Sequence, residues 1–246
     1  MSAFLATLKR ELRAYFFSPL AYIVMAALLF VNGFVFWIII SFLSDPRAAI
    51  GAPLQLFFGQ TIFFWLVLVF LTPALTMRLL SEERRSGTIE VLMTAPVTET
   101  QIVLGKFFAA LVLYAVLWLP TLAYAGVIAR YSSVDWGPVA AGYLGIFGVG
   151  SVFLAVGVFA SALTRSQLIA ALLSFAILVP MFSFGLLESL FSTEWLKQAF
   201  GYLNLWSQME DFSKGIVDTR RLVYYLSTTG LFLFLATRAL AVRKWR

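Results

Sequence analysis

The 246-residue sequence contains no cysteine and no histidine, and only 12% of it is charged. Each shortage removes a class of function. Without Cys there are no disulfides and no thiolate chemistry; without His there are no imidazole proton relays and no zinc sites built on His or Cys ligands. No G-x-x-x-x-G-K-[ST] stretch occurs, so the chain does not hydrolyse ATP through a phosphate loop. So little charge beside 61% hydrophobic residues also argues against a soluble fold, because nearly every helix face would have to be buried in a chain too short to bury them.

What is present is a set of apolar runs longer than the ~18 residues that indicate a spanning helix. Six spans are expected, over residues 20–43, 54–77, 107–129, 139–163, 168–187 and 222–242. The first is too long for a signal-peptide core and lacks a small-residue cleavage pattern, so it reads as a retained helix, opened by Ser18 as N-cap and Pro19 as first helical residue. The expected fold is an all-α polytopic membrane protein, a single domain over 1–246.

Orientation follows from the basic residues. In the six-span arrangement Lys9, Arg10, Arg13, Arg78, Arg84, Arg85, Lys106, Arg165, Arg238, Arg243, Lys244 and Arg246 share one side, twelve of the eighteen. Arg47, Arg130, Lys197, Lys214, Arg220 and Arg221 share the other. This predicts a multi-pass protein of a bacterial-type cytoplasmic membrane with both termini inside.

Two segments flank this pattern. Over residues 1–17, Phe4, Leu5, Leu8, Leu12, Tyr15 and Phe16 fall on one helical face with Lys9, Arg10 and Arg13 beside or opposite it, which suits an interfacial helix on the cytoplasmic leaflet; a frayed basic tail is the alternative. Residues 191–221 carry Trp195, Phe200, Tyr202, Trp206 and Phe212, but Lys197, Gln198, Asn204 and Gln208 interrupt them. A seventh crossing there would carry Arg243, Lys244 and Arg246 outside, so an external, re-entrant segment held in the outer leaflet by its aromatics is expected.

The one dense block of charge, Glu82-Glu83-Arg84-Arg85, lies in the connector 78–98 between two apolar segments. Gly87 is placed to end the preceding helix with a positive φ. From Thr88 to Ala95 there is room for two helical turns with Ile89, Leu92, Met93 and Pro96 on one stripe and Glu90 in the first turn, where the helix dipole favours an acid. Pro96 breaks it. Thr98-Glu99-Thr100-Gln101 is a capping box for the next helix, with Val97 and Ile102 at staple spacing. Such punctuation suits a connector that passes force into both neighbours; a capped, solvated loop is the competing interpretation.

Within the expected hydrocarbon core there is no Asp, Glu, Lys or Arg, which weighs against an ion-coupled carrier without excluding one that uses backbone carbonyls. No carboxylate pair, metal cluster or Ser with a base is assembled for intramembrane catalysis, and Ser174 and Ser183 suit helix packing. In the fourth span Ala141 with Gly145 and Gly157 with Ser161 have small-x-x-x-small spacing, which predicts close helix contact. Pro120 and Pro180 produce either kinks that let the bundle open or static bends. Phe63, Phe64 and Trp65 either line a path or face lipid.

The run from Glu82 to Leu92, followed by Ala95-Pro96-Val97-Thr98 and Gly105-Lys106, resembles the cytoplasmic signature of ABC type-2 transporter permeases, and more narrowly the branch with the gliding-motility and copper-enzyme-maturation permeases. Six spans, an amphipathic start, an aromatic-rich last external loop and the basic end Arg243-Lys244-Trp245-Arg246 extend the likeness along nearly the whole chain. The resemblance implies a half-permease that pairs with a second permease protomer in the lipid bilayer and docks separate ATP-binding cassette subunits, with no role for nucleic acid. On that likeness Thr88 to Ala95 is the coupling helix. The partner-binding residues would be Glu82, Glu83, Arg84, Arg85, Gly87, Thr88, Ile89, Glu90, Leu92, Met93 and Pro96. The chain itself would be no enzyme and hold no cofactor, ATP and magnesium being bound by the partner. Cargo in such systems ranges from lipids, polysaccharides, peptides or drugs to conformational work with no cargo.

Overall fold

The computed structural model describes residues 3–44, 53–88, 97–188 and 201–241, and all of its described elements are helical. In chain order they are α1 (Ala3–Phe16), α2 (Pro19–Leu43), the short α3 (Pro53–Gln55) with a π-helical turn (Leu56–Gln60), α4 (Ile62–Thr76) and α5 (Ser81–Arg85). There follow α6 (Glu99–Trp118), a 3-10 turn (Leu119–Thr121), α7 (Leu122–Ala129), α8 (Trp136–Leu163), α9 (Gln167–Glu188), α10 (Leu205–Ser213) and α11 (Thr219–Ala241). Six helices are long and apolar enough to cross a membrane: Ala21–Leu43, Ile62–Arg85, Glu99–Ala129, Trp136–Leu163, Gln167–Gly185 and Thr219–Ala241. The chain is an all-α multi-pass membrane protein.

The fourth span, α8, is the centre. In its most apolar stretch 72% of residues are buried, against 22%, 17% and 22% in the first, fifth and sixth spans. Its sequence helps explain this, because glycines leave sockets for side chains from several neighbours. A Cβ on Gly150 would meet the Tyr114 ring of α6 at 2.4 Å, and one on Gly148 would meet Tyr225 of α11 at 2.4 Å. One on Gly157 would lie 2.0 Å from the Thr76 hydroxyl of α4, and one on Gly145 would lie 2.8 Å from the Met209 sulfur of α10. The small-residue spacing thus marks real helix contacts, as expected where lipid offers no hydrophobic drive and packing holds helices together. Tyr114 also donates its hydroxyl to the Ile146 carbonyl at 3.1 Å.

The second span differs from the expected 54–77. Hydropathy is continuous through this stretch, but Gly59 takes φ +89° and Phe58 leaves helical geometry, so the helix restarts at Ile62. The break exposes a carbonyl, and the buried Trp65 indole donates to Gly59 O at 2.9 Å. Trp65 and Phe64 are therefore core residues, while Phe63 is exposed. At Pro120 the third span tightens into the 3-10 turn, whereas Pro180 sits inside an unbroken α9. Ser174 and Ser183 each donate to the carbonyl four residues back, at 2.9 and 2.8 Å.

Of the segment 191–221, residues 191–200 lie outside the described residues, and much of the remainder packs against the bundle. Leu205, Met209 and Phe212 of the amphipathic α10 are fully buried against α8 and the π-helical turn. Trp206 stacks on Trp65 with centroids 5.8 Å apart. Asn204 caps the helix by accepting from Ser207 N at 3.1 Å, and Gly215 ends it at φ +86°. An Asp211–Arg221 ion pair ties it to the start of α11. The segment plugs the bundle because it has an apolar stripe and a cap of its own.

Replacing Gly157 by Ala forces either α4 or α8 to move and is expected to destabilise by about 1–3 kcal/mol. Gly126→Ala, where nothing lies within 4 Å, serves as the control and should be neutral. Thermal unfolding of both variants in detergent checks this; equal melting would mean that α8 does not pack so closely.

Candidate functional site

The charged end of the bundle is built around an interruption. α4 stops at Thr76 and α5 begins at Ser81, so a new helix start must find acceptors for its amides. The hydroxyl of Ser161, near the end of α8, accepts from Leu80 N and Ser81 N at 3.0 Å each and donates to Met77 O at 3.1 Å. One buried serine satisfies three backbone groups at the joint.

Four consecutive charges on α5 point in different directions, as an α-helix requires at 3.6 residues per turn. Glu82 bonds Gln167 at the start of α9 and pairs with Arg85 at 3.5 Å. Glu83 turns inward to Arg10 at 2.6 Å and Lys106 at 3.0 Å. Arg84 is buried and donates to the Ala239 carbonyl of α11 at 3.4 Å. Only Arg85 projects fully outward, followed by the exposed Ser86, Gly87 and Thr88.

The ammonium of Lys106, 1% exposed, lies between two carboxylates: Glu83, and Glu11 of α1 at 2.9 Å. Arg10 bridges the same two acids, reaching Glu11 at 2.8 Å. Burial works against the charged form of Glu11, but Lys106 and Arg10 outweigh it and hold its carboxyl below the ordinary value. For Arg10 the desolvation is likewise overcome by Glu11 and Glu83, which hold its guanidinium above its usual value. α1 accordingly docks along α6, with Thr7 buried against Gly105, Phe4 edge-on to Phe108 and the Tyr15 hydroxyl donating to Leu75 O at 2.7 Å. The expected apolar stripe is divided: Leu5 and Phe16 are exposed, whereas Phe4 and Tyr15 pack inward with Thr7 and Glu11.

The end of α5 matches its expected punctuation. Gly87 has φ +73°, and Ser86 closes the helix, its amide donating to Glu82 O at 2.9 Å. Across the connector the capping box is formed in both directions: Gln101 N donates to the Thr98 hydroxyl at 3.3 Å, and Thr98 N to Gln101 Oε1 at 3.2 Å. Ile102 is buried and Val97 packs on the core. Ile89, Glu90, Leu92, Met93 and Pro96 lie outside the described residues. Among the described residues no group of three or more Asp, Glu, His or Cys could hold a metal ion.

Three functional residues escaped the sequence reading. Lys106 counted as a positive charge and as part of the family-like motif but not as a buried ion-pair partner, Glu11 was passed over in a basic helix, and Ser161 figured only as a small residue. A signal existed for the first two: Glu11 is the single acid of α1 and lies on the Phe4–Tyr15 stripe, facing a lone Lys just before the expected third span.

An interrupted spanning helix, an ion-paired elbow and a glycine-socketed central helix are the features that the described residues bring together. The chain belongs to the ABC-2 transporter proteins, since residues 48–241 match the family described as ABC-2 family transporter protein. No curated protein matches the chain closely enough to add to that assignment. The match includes α5, Lys106 and Ser161 but not α1, which joins the family region through Glu11 and Arg10.

Lys106→Met leaves two part-buried acids sharing one arginine and is expected to destabilise by about 3–5 kcal/mol, the usual scale for breaking a buried pair from one side. Because the Glu11 carboxyl is held low, its contribution is complete at neutral pH and is lost as pH falls through that lowered value. Melting curves of wild type and Glu11→Gln, taken from neutral to acid, should converge; parallel curves would deny Glu11 this role.

Proposed function

We propose that the elbow formed by α5 and the connector after it receives the motion of a separate ATP-binding subunit and distributes it to the bundle. One observation carries this: a short exposed tip, Arg85 to Thr88, stands on a helix whose inner charges are tied to α1, α6, α9 and α11. Arg85, Gly87 and Thr88 supply the contact surface, together with Ile89, Glu90, Leu92, Met93 and Pro96. Glu83 and Arg84 act from within as positioning residues, and Glu82 divides between the two roles.

In this proposal two permease protomers, identical or different, work with two ATP-binding cassette subunits that hold ATP and magnesium. The work delivered is export of a substrate or a conformational change passed across the membrane, the latter in keeping with the likeness to the gliding-motility branch. The concentration of basic residues on the elbow side supports a cytoplasmic elbow and cytoplasmic termini.

The purified chain alone should release no phosphate from ATP, while the complex with its ATP-binding subunit should do so. Gly87→Val, opposed by the positive φ at a cost of roughly 1–2 kcal/mol, should lower partner-stimulated hydrolysis while leaving insertion intact. Full stimulated activity in an assembled Gly87→Val complex would overturn the coupling role. Topology is checked separately in this cysteine-free chain: Ser132→Cys should react with an impermeant maleimide applied outside and Ser86→Cys should not, the reverse result inverting the orientation.

A further inference from the structure

Behind the elbow lies a cavity of about 450 Å³ between α1, α2, α4, α5 and α6. Its lining changes character along the spans. At the charged end it is walled by the ion-paired cluster and by Arg78, in the turn just past α4. Further along the spans, Val24 of α2, Ala74 of α4 and Leu113 of α6 line it, the last seven residues, about two turns, beyond Lys106. Ala14, Ala21 and Ala74 leave the room that larger side chains would fill.

The charges of the cluster cancel among themselves, Arg10 and Lys106 against Glu11 and Glu83. Glu82 is matched by Arg85. Arg78 is exposed and takes part in none of the ion pairs among the described residues. Among the described residues the cavity therefore presents one cation outside any ion pair, at the end of a spanning helix and above an apolar slot that continues along it. The exposed Leu5 on α1 and Phe17, 84% exposed just after it, are apolar side chains suited to a membrane surface.

We propose that this cavity is a binding site for one phospholipid of the adjoining leaflet, its phosphodiester on Arg78 and an acyl chain in the slot between Val24, Ala74 and Leu113. The order of polarity along the cavity matches the order along the lipid. A guanidinium suits the phosphate, where charge-assisted bonds are strongest. A soluble anion would use Arg78 but have no use for the slot, and a neutral lipid would use the slot but not Arg78.

Native mass spectrometry of the full chain in detergent, without any ATP-binding subunit, tests this independently of the coupling proposal. Titrated with phosphatidylglycerol, the wild type should bind one lipid tightly. Arg78→Ala should weaken that binding roughly ten-fold, the loss of one charged hydrogen-bonding partner, and leave phosphate-free diacylglycerol unaffected. Ala74→Phe, filling the slot, should weaken both lipids, and inorganic phosphate should displace neither. Unchanged affinity in Arg78→Ala overturns the site whatever becomes of Ala74→Phe. So does unchanged binding in a folded Ala74→Phe, or displacement by inorganic phosphate, which would mark a plain anion site.

Discussion

A lysine ammonium sealed from solvent at the end of an apolar bundle cannot stand alone; desolvation costs several kcal/mol unless opposite charges meet it at contact distance. Lys106 is such a group, and much of the charged end follows from its need for Glu11 and Glu83. To deliver Glu11, α1 must lie along α6, which requires Gly105 to admit Thr7. To deliver Glu83, α5 must turn that face inward, which sends Arg84 to α11 and Glu82 to α9. Orienting one carboxylate therefore fixes four contacts, and among the described residues of the elbow Arg85 to Thr88 remain exposed.

The second constraint is the absence of side chains along α8. Its glycines let Tyr114, Tyr225, Thr76 and Met209 approach from four elements, so spans distant in sequence share one support. Where that support ends, Ser161 reaches the interrupted second span and holds both sides of the joint. Ser161 thereby ties α5 to the helix on which most of the other spans pack.

Much of this was legible in the sequence because it depends on local rules. Span number follows from hydropathy, the Thr98 capping box from its spacing, the positive φ of Gly87 from its place after a charged helix end, and the closeness of α8 from its small residues. What was missed depends on tertiary partners. The break at Gly59 lies in an unbroken apolar stretch, and only a tryptophan six residues on reveals how its carbonyl is satisfied. The block Glu82 to Arg85 reads as a single charged surface until it is wound into a helix, where four successive residues must face four ways. For α1, counting apolar residues chose the lipid-like face, whereas one buried ion pair chose the face that packs.

The partnership of Glu11 with Lys106 also sets an order of events during biosynthesis. The two residues are 95 apart, so a ribosome adding ~5–20 residues per second exposes the acid roughly 5 to 20 seconds before its base. Until the third span has been made, α1 has only Arg10 to neutralise Glu11 and no groove in which to settle. The first helix synthesised is thus fastened only after the second and third spans have supplied Glu83 and Lys106.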